Sequence, residues 1–294
     1  MSQGGVSERI LFLRRSIAAI ETRDAPAVVT PITRDSLLCC AKTAQKKSPR
    51  HMLEDALNGL SPGLLGEIVP ARPSDAAAAA GFALALALRA AAARPAAPLV
   101  WIVEDMTARE IGLPYGRGLA AAGLDPARLA LVRSSRPRET LWATEEALKI
   151  SVAAVIAESW MAPHHYGLTA SRRLLLAARR GGGAGLLVLP AAAGAAARLA
   201  SAAALRFEIA ARPPCGPRGA LYPSAALSWR LRLAKARAGP AGVLAIDPQQ
   251  WRDVAFDPDA VLFRHALPDP ALPLRLPAPP CHRSAFALTR RAGA

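Results

Sequence analysis

Five short apolar runs punctuate the middle of the chain: "LGEIV" at 65–69, "PLVWIVE" at 98–104, "RLALVRS" at 128–134, "VAAVIAE" at 152–158 and "GLLVLP" at 185–190. None alternates apolar with polar residues, as a strand with one wet face does. The intervals fit helices at 75–94, 108–122, 138–149 and 169–180. Continuous apolar runs joined by helical crossovers predict an α/β protein whose parallel sheet is buried on both faces. Asp75 and Thr169 stand where helix caps belong, and Gly181-Gly182-Gly183 ends the last of these helices.

After Pro190 the period changes. "LRFEIAARP" (205–213) and "LSWRLRLAKARAG" (227–239) alternate, with Trp229, Leu231 and Leu233 on one face and Arg230 and Arg232 on the other. That is the pattern of half-exposed antiparallel strands, and "GVLAID" (242–247) reads as a third. The expected fold class is therefore a mostly parallel sheet extended by an antiparallel meander. Ahead of it, Ile10, Leu13, Ile17 and Ile20 recur at helical spacing, which predicts an amphipathic helix within 1–22. Residues 23–52 are polar and proline-punctuated and read as a linker, 53–254 as the core, and 255–294 as a proline-rich tail. No internal repeat is visible.

Composition changes this picture in two ways. The 294 residues, 52% hydrophobic with mean hydropathy +0.20, describe a folded chain. Its net charge of +15 suggests an acidic partner, nucleic acid or protein. Most of that charge is arginine in an alanine-rich chain, so a coding bias toward these residues is an equally available source. The four cysteines, Cys39, Cys40, Cys215 and Cys281, have neither disulfide nor zinc spacing, which points to a reducing compartment. Arg14 and Arg15 interrupt the first apolar stretch, so no secretory signal is read there. The longest apolar run, Ala76 to Leu88, ends at Arg89, short of the ~20 residues of a membrane span. A cytoplasmic protein is expected.

The segment "LEDALNGLSPGLLGEIV" (53–69) has the cadence with which RecA-type recombinases lead into their first core strand. The long helix, the strand ending at Glu104 and Asp105, and the strand ending at Glu158 follow in the same order. Within that group, "YGRGLAAAGLDPARLALVRSSRPRETLWATEEAL" (115–148) and "GLTASRRLLLAARRGGGAGLLVL" (167–189) resemble the ImuA family, RecA-related proteins of the bacterial damage-inducible mutagenesis cassette. The resemblance spans about 53–240 and implies a RecA-like core.

A phosphate-binding loop needs glycines for close backbone approach, a lysine for phosphate charge and a Ser or Thr for magnesium. Set against the recombinase strand, Pro70 and Asp75 stand where glycines belong, and Ala76 and Ala77 where the Lys and Ser/Thr belong. Arg72 is the one cation nearby, on a loop without a glycine nest. The expectation is a degenerate loop, no nucleotide cofactor and no catalysis. Glu104, Asp105 and Glu158 read either as vestigial metal-site acids or as polar ends of buried strands. "GRGLAAAG" (116–123) lies within the predicted helix and follows no strand, so it fails as a dinucleotide fingerprint. His164-His165 lack a third ligand, so no metal site is expected.

Two arginine groups remain. Arg172 and Arg179, with Arg173 and Arg180, form a stripe along one helix face. Arg212, Arg218, Arg230 and Arg232 gather around the meander. Each group is either a solvated face or a contact surface for DNA or an acidic partner. The two loops that contact DNA in recombinases correspond to "SWMAPHHYGL" (159–168) and "AAAGAAARLASAAAL" (191–205), and the second carries Arg198 as its sole cation, a poor platform for nucleic acid.

The resemblance implies a nucleoid-associated adaptor in damage-induced translesion synthesis. Its implied partners are RecA and an inactive Y-family polymerase homologue (ImuB-like). The helix carrying Leu13 and Ile17 is suited to docking on a partner or on another copy of the chain. A residual nucleotide-binding ATPase and a cell-division-inhibitor-like protein are the alternatives.

Overall fold

The computed structural model describes residues 53–54, 57–58, 62–162, 165–212, 227–237, 247 and 250–266. The chain divides into two units, Met1–Lys47 and Ser48–Ala294, and every described residue belongs to the second. The expected helix with Leu13 and Ile17, the linker, Arg218, "GVLAID" save Asp247, and all four cysteines lie outside the described residues.

Each apolar run becomes a strand: β1 (Leu65–Pro70), β2 (Leu99–Glu104), β3 (Leu129–Ser134), β4 (Ala154–Glu158) and β5 (Ala184–Val188). They join β6 (Leu205–Ala211), β7 (Leu227–Ala236), β8 (Arg252–Asp257) and β9 (Leu262–His265) in one sheet of order β3-β2-β4-β5-β1-β6-β7-β8-β9. The strands from β3 to β6 in this order run parallel, and β6 to β9 pair antiparallel. This is the mostly parallel sheet with an antiparallel extension that the sequence predicts.

Three layers enclose two cores. The helix α1 (Ala76–Ala93) covers one face of the sheet and is rich in alanine where it lies closest to the strands. Phe82 on α1 stacks edge-on against Phe207 and Trp229, both at 5.4 Å between ring centres, so one aromatic cluster joins helix, parallel strand and meander. By length and composition the segment Pro73–Ala93 could cross a membrane, since the helix runs past Arg89, but over half of its apolar window is buried in this core. The helices α4 (Pro137–Lys149) and α5 (Leu168–Gly181) cover the other face, bringing Leu148, Leu174 and Ala178 onto Leu65, Ile102, Val155 and Leu187.

Several local expectations are corrected. The helix expected at 108–122 is two short ones, α2 (Asp105–Ile111) and α3 (Gly116–Ala121). Gly112, with φ +94°, and Pro114 break it. "LRFEIAARP" is not half-exposed: β6 is the last parallel strand, and its first five residues are buried, Arg206 and Glu208 included. Thr169 is inside α5, whose N-cap is Gly167. Asp75 precedes α1 but its carboxylate makes no capping bond to that helix. The core does not end at 254, because β8 crosses that position and β9 follows. Asn58 secures the added strand: its amide donates to the Phe263 carbonyl (3.1 Å) and accepts from the Phe263 N–H (2.9 Å).

Candidate functional site

The region where α/β proteins bind ligands, beyond the carboxyl ends of the parallel strands, is closed at β1. Pro70 is the last residue of β1, and the next N–H, of Ala71, donates to Ile209 at 2.7 Å. Asp75 turns its buried carboxylate inward. It accepts from the Arg72 backbone N–H and Arg72 Nε (both 3.2 Å) and from the Ala211 N–H (3.1 Å). An incoming phosphate would therefore meet a carboxylate, and the Ala71, Arg72 and Asp75 N–H groups beside it are already engaged. Arg72 is itself paired with Asp75, Ala76 is buried and Ala77 exposed, and neither alanine supplies charge or a metal ligand.

The acids at the neighbouring strand ends are also occupied. Glu104 accepts from the Ser159 hydroxyl (2.5 Å) and the Trp160 N–H (2.9 Å). Glu158, one strand over, accepts from the Trp101 indole N–H at 2.7 Å, and burial pushes its carboxyl up to about 7, opposed in part by that bond. Asp105 pairs with Arg133 at 2.6 Å. Each acid thus has a structural partner of its own.

A charged network lies deeper, between β1 and β6. Glu67 and Arg206 are both buried and meet at 2.6 Å. The Tyr166 hydroxyl donates to the other Glu67 oxygen at 2.6 Å, and burial together with Glu67 holds that phenol well above its ordinary range. Arg206 spends its remaining donors on the Ala196 carbonyl (2.6 Å), the Leu199 carbonyl (2.8 Å) and the Ser201 hydroxyl (2.9 Å). Lys235, its pKa lowered chiefly by burial, donates to the Ser201 carbonyl at 2.8 Å. One buried ion pair therefore fixes both loops that the resemblance relates to DNA contact. Sequence reasoning missed it, although a signal was present: Glu67 stands inside a run expected to be buried on both faces, where an ionised side chain demands a partner.

The two arginine groups differ. At the meander, Arg232 pairs with Glu208 and lies 5.1 Å from the centre of the Trp251 ring, while Arg230 and Arg212 each approach Asp253 at 3.8 Å. Arg232 and Arg212 are thus tied into the sheet, whereas Arg230 stays exposed beside Asp253. On α5, Arg172, Arg173, Arg179 and Arg180 are all exposed, and Arg173 reaches Glu145 of α4 at 2.6 Å.

No family model and no curated protein matches the chain. Solved structures do match, among them "Crystal structure of the RadB recombinase", similar with a TM-score of 0.45 and 14% identity over 74% of this chain and 97% of that one.

Proposed function

We propose that this chain is a RecA-like adaptor of the ImuA family, without catalysis of its own, that supports error-prone translesion synthesis after DNA damage by contacting RecA and an inactive Y-family polymerase homologue. The reading rests on the ordered sequence resemblance over about 53–240 and on a sheet of the kind that resemblance implies. The observation that carries its non-catalytic part is the loop between β1 and α1, which Asp75 closes upon itself. Without a lysine, with alanines at the Lys and Ser/Thr places and with the Ala71, Arg72 and Asp75 N–H groups engaged, the loop lacks the groups that hold a triphosphate. What remains of the scaffold is its shape and its surfaces, which suit binding to other proteins in the cytoplasm, at the nucleoid.

Thermal unfolding with and without magnesium-ATP tests this directly. A nucleotide present at a hundred times its Kd would raise the midpoint by roughly 5 to 10 °C. The expected result is no shift, with RecA still captured by the same protein. A shift of that size, or loss of RecA capture in a folded sample, overturns the proposal.

A further inference from the structure

The faces of α4 and α5 that turn away from the sheet carry an unusual combination of exposed side chains. Trp142 on α4 is 64% exposed, and Leu168 and Leu176 on α5 are 51% and 58% exposed. Leu168, Arg172, Leu176 and Arg180 are spaced by four residues, so they form one row along the outer face of α5. Arg138, Trp142 and Glu146 form a corresponding row on α4. Between the helices lies an open groove of about 460 Å³ whose walls include Arg138, Glu139, Trp142, Glu145, Ala170 and Arg173.

The charges of this face do not balance. Glu145 is taken by Arg173 and Lys149, Glu146 by Lys149, and Glu139 by the Ser135 N–H. Arg138, Arg172, Arg179 and Arg180 have no acidic partner among the described residues. Arg138 and Trp142 line the groove, while Leu168, Arg172, Leu176, Arg179 and Arg180 flank it on α5. A ligand complementary to the whole face therefore brings carboxylates to the arginines and apolar side chains to Trp142, Leu168 and Leu176. Nucleic acid meets only the first need. A single tryptophan offers little stacking, and the two leucines would stay wet.

We infer that the α4–α5 face binds an acidic amphipathic helix of a partner protein. Two packed helices offer a groove into which the ridge of a third can lie, with a small number of apolar anchors supplying affinity and the arginines supplying register. α4 and α5 have 13 and 14 residues. Each is about 20 Å long, so the complementary ligand is a helix of three to four turns. The inference rests on the adaptor reading for its need of a protein partner, and it assigns that role to the α4–α5 face rather than to the β1–α1 loop.

The test uses the full chain and a synthetic helical peptide of about 16 residues, with leucines at helical spacing and glutamates elsewhere. A scrambled peptide of the same composition and a thymidine oligonucleotide of about 20 nucleotides are the comparisons. Calorimetry is expected to show binding of the amphipathic peptide at least about tenfold tighter than of the scrambled one. Trp142→Ala and the double variant Arg172→Glu with Arg179→Glu should each weaken it by about tenfold or more, at unchanged melting temperature. Equal binding of the two peptides, indifference to Trp142→Ala, or binding of the oligonucleotide alone would overturn the inference. None of these outcomes alters the magnesium-ATP result, so failure here is separable from failure of the adaptor reading.

Discussion

Glu158 shows how much one side chain can say about the pH response of the whole. Its carboxyl titrates at about 7 because burial disfavours the charge. In the unfolded chain it titrates near the ordinary value of about 4.3. Between these values the native state holds a proton that the unfolded state has released, so stability falls as pH rises through this window. The loss approaches roughly 4 kcal/mol at full ionisation. Glu158→Gln keeps an oxygen for the Trp101 indole and removes the titration. The variant should match the parent near pH 4 and exceed it in urea unfolding at pH 8; equal midpoints at both pH values would refute the assignment. Nothing in the sequence distinguishes Glu158 from Asp105, which directly follows a strand, because the difference lies in Trp101 on a neighbouring strand and in depth of burial.

At the scale of elements, the five apolar runs were legible because a strand covered on both faces must be apolar throughout. The broken helix at 112–115 was legible too, in Gly112 and Pro114, had local punctuation been weighed above the amphipathic period around it. β6 was misread for a physical reason: an arginine and a glutamate in alternation look solvated, whereas here each is buried against an opposite charge from an adjacent strand. The triple glycine does more than end α5. A Cβ on Gly181 would lie 2.0 Å from the Leu148 carbonyl oxygen and 2.9 Å from that of Ile150. The end of α5 thus passes against the end of α4. Gly182 instead supplies the left-handed residue, φ +72°, that closes the helix. Gly182→Ala should cost about 1 kcal/mol, and Gly181→Ala more, about 3 kcal/mol, because backbone rather than a mobile side chain must yield. Denaturant midpoints that reverse this order would contradict the packing described.

At the scale of the whole molecule, the sheet and its layers could be read from the chain, but its surfaces could not. Arg172 and Arg230 look alike in sequence, yet one is free of acidic partners among the described residues and the other lies beside Asp253. Only the pairing of β7 with β8 brings that aspartate into reach. The amphipathic helix expected within 1–22 carries a prediction at this scale. Removing residues 1–22 should weaken capture of RecA and of the ImuB-like partner while the remaining chain still unfolds cooperatively; undiminished capture of both would exclude the segment from assembly.

The ion pair of Glu67 and Arg206 has a consequence for how such a chain can change over time. The segment 191–204 is almost wholly alanine, glycine and leucine; beyond its buried alanines and the Ser201 hydroxyl, the fixing groups are Arg206 and Lys235, which reach in from the sheet. A loop anchored from outside largely through its carbonyls leaves its exposed positions, Ala191, Arg198 and Ala200, free to exchange side chains, whereas the buried Ala192, Ala196, Ser201 and Ala203 are constrained. Drift is expected to accumulate at Ala191, Arg198 and Ala200 while positions 67 and 206 change only together.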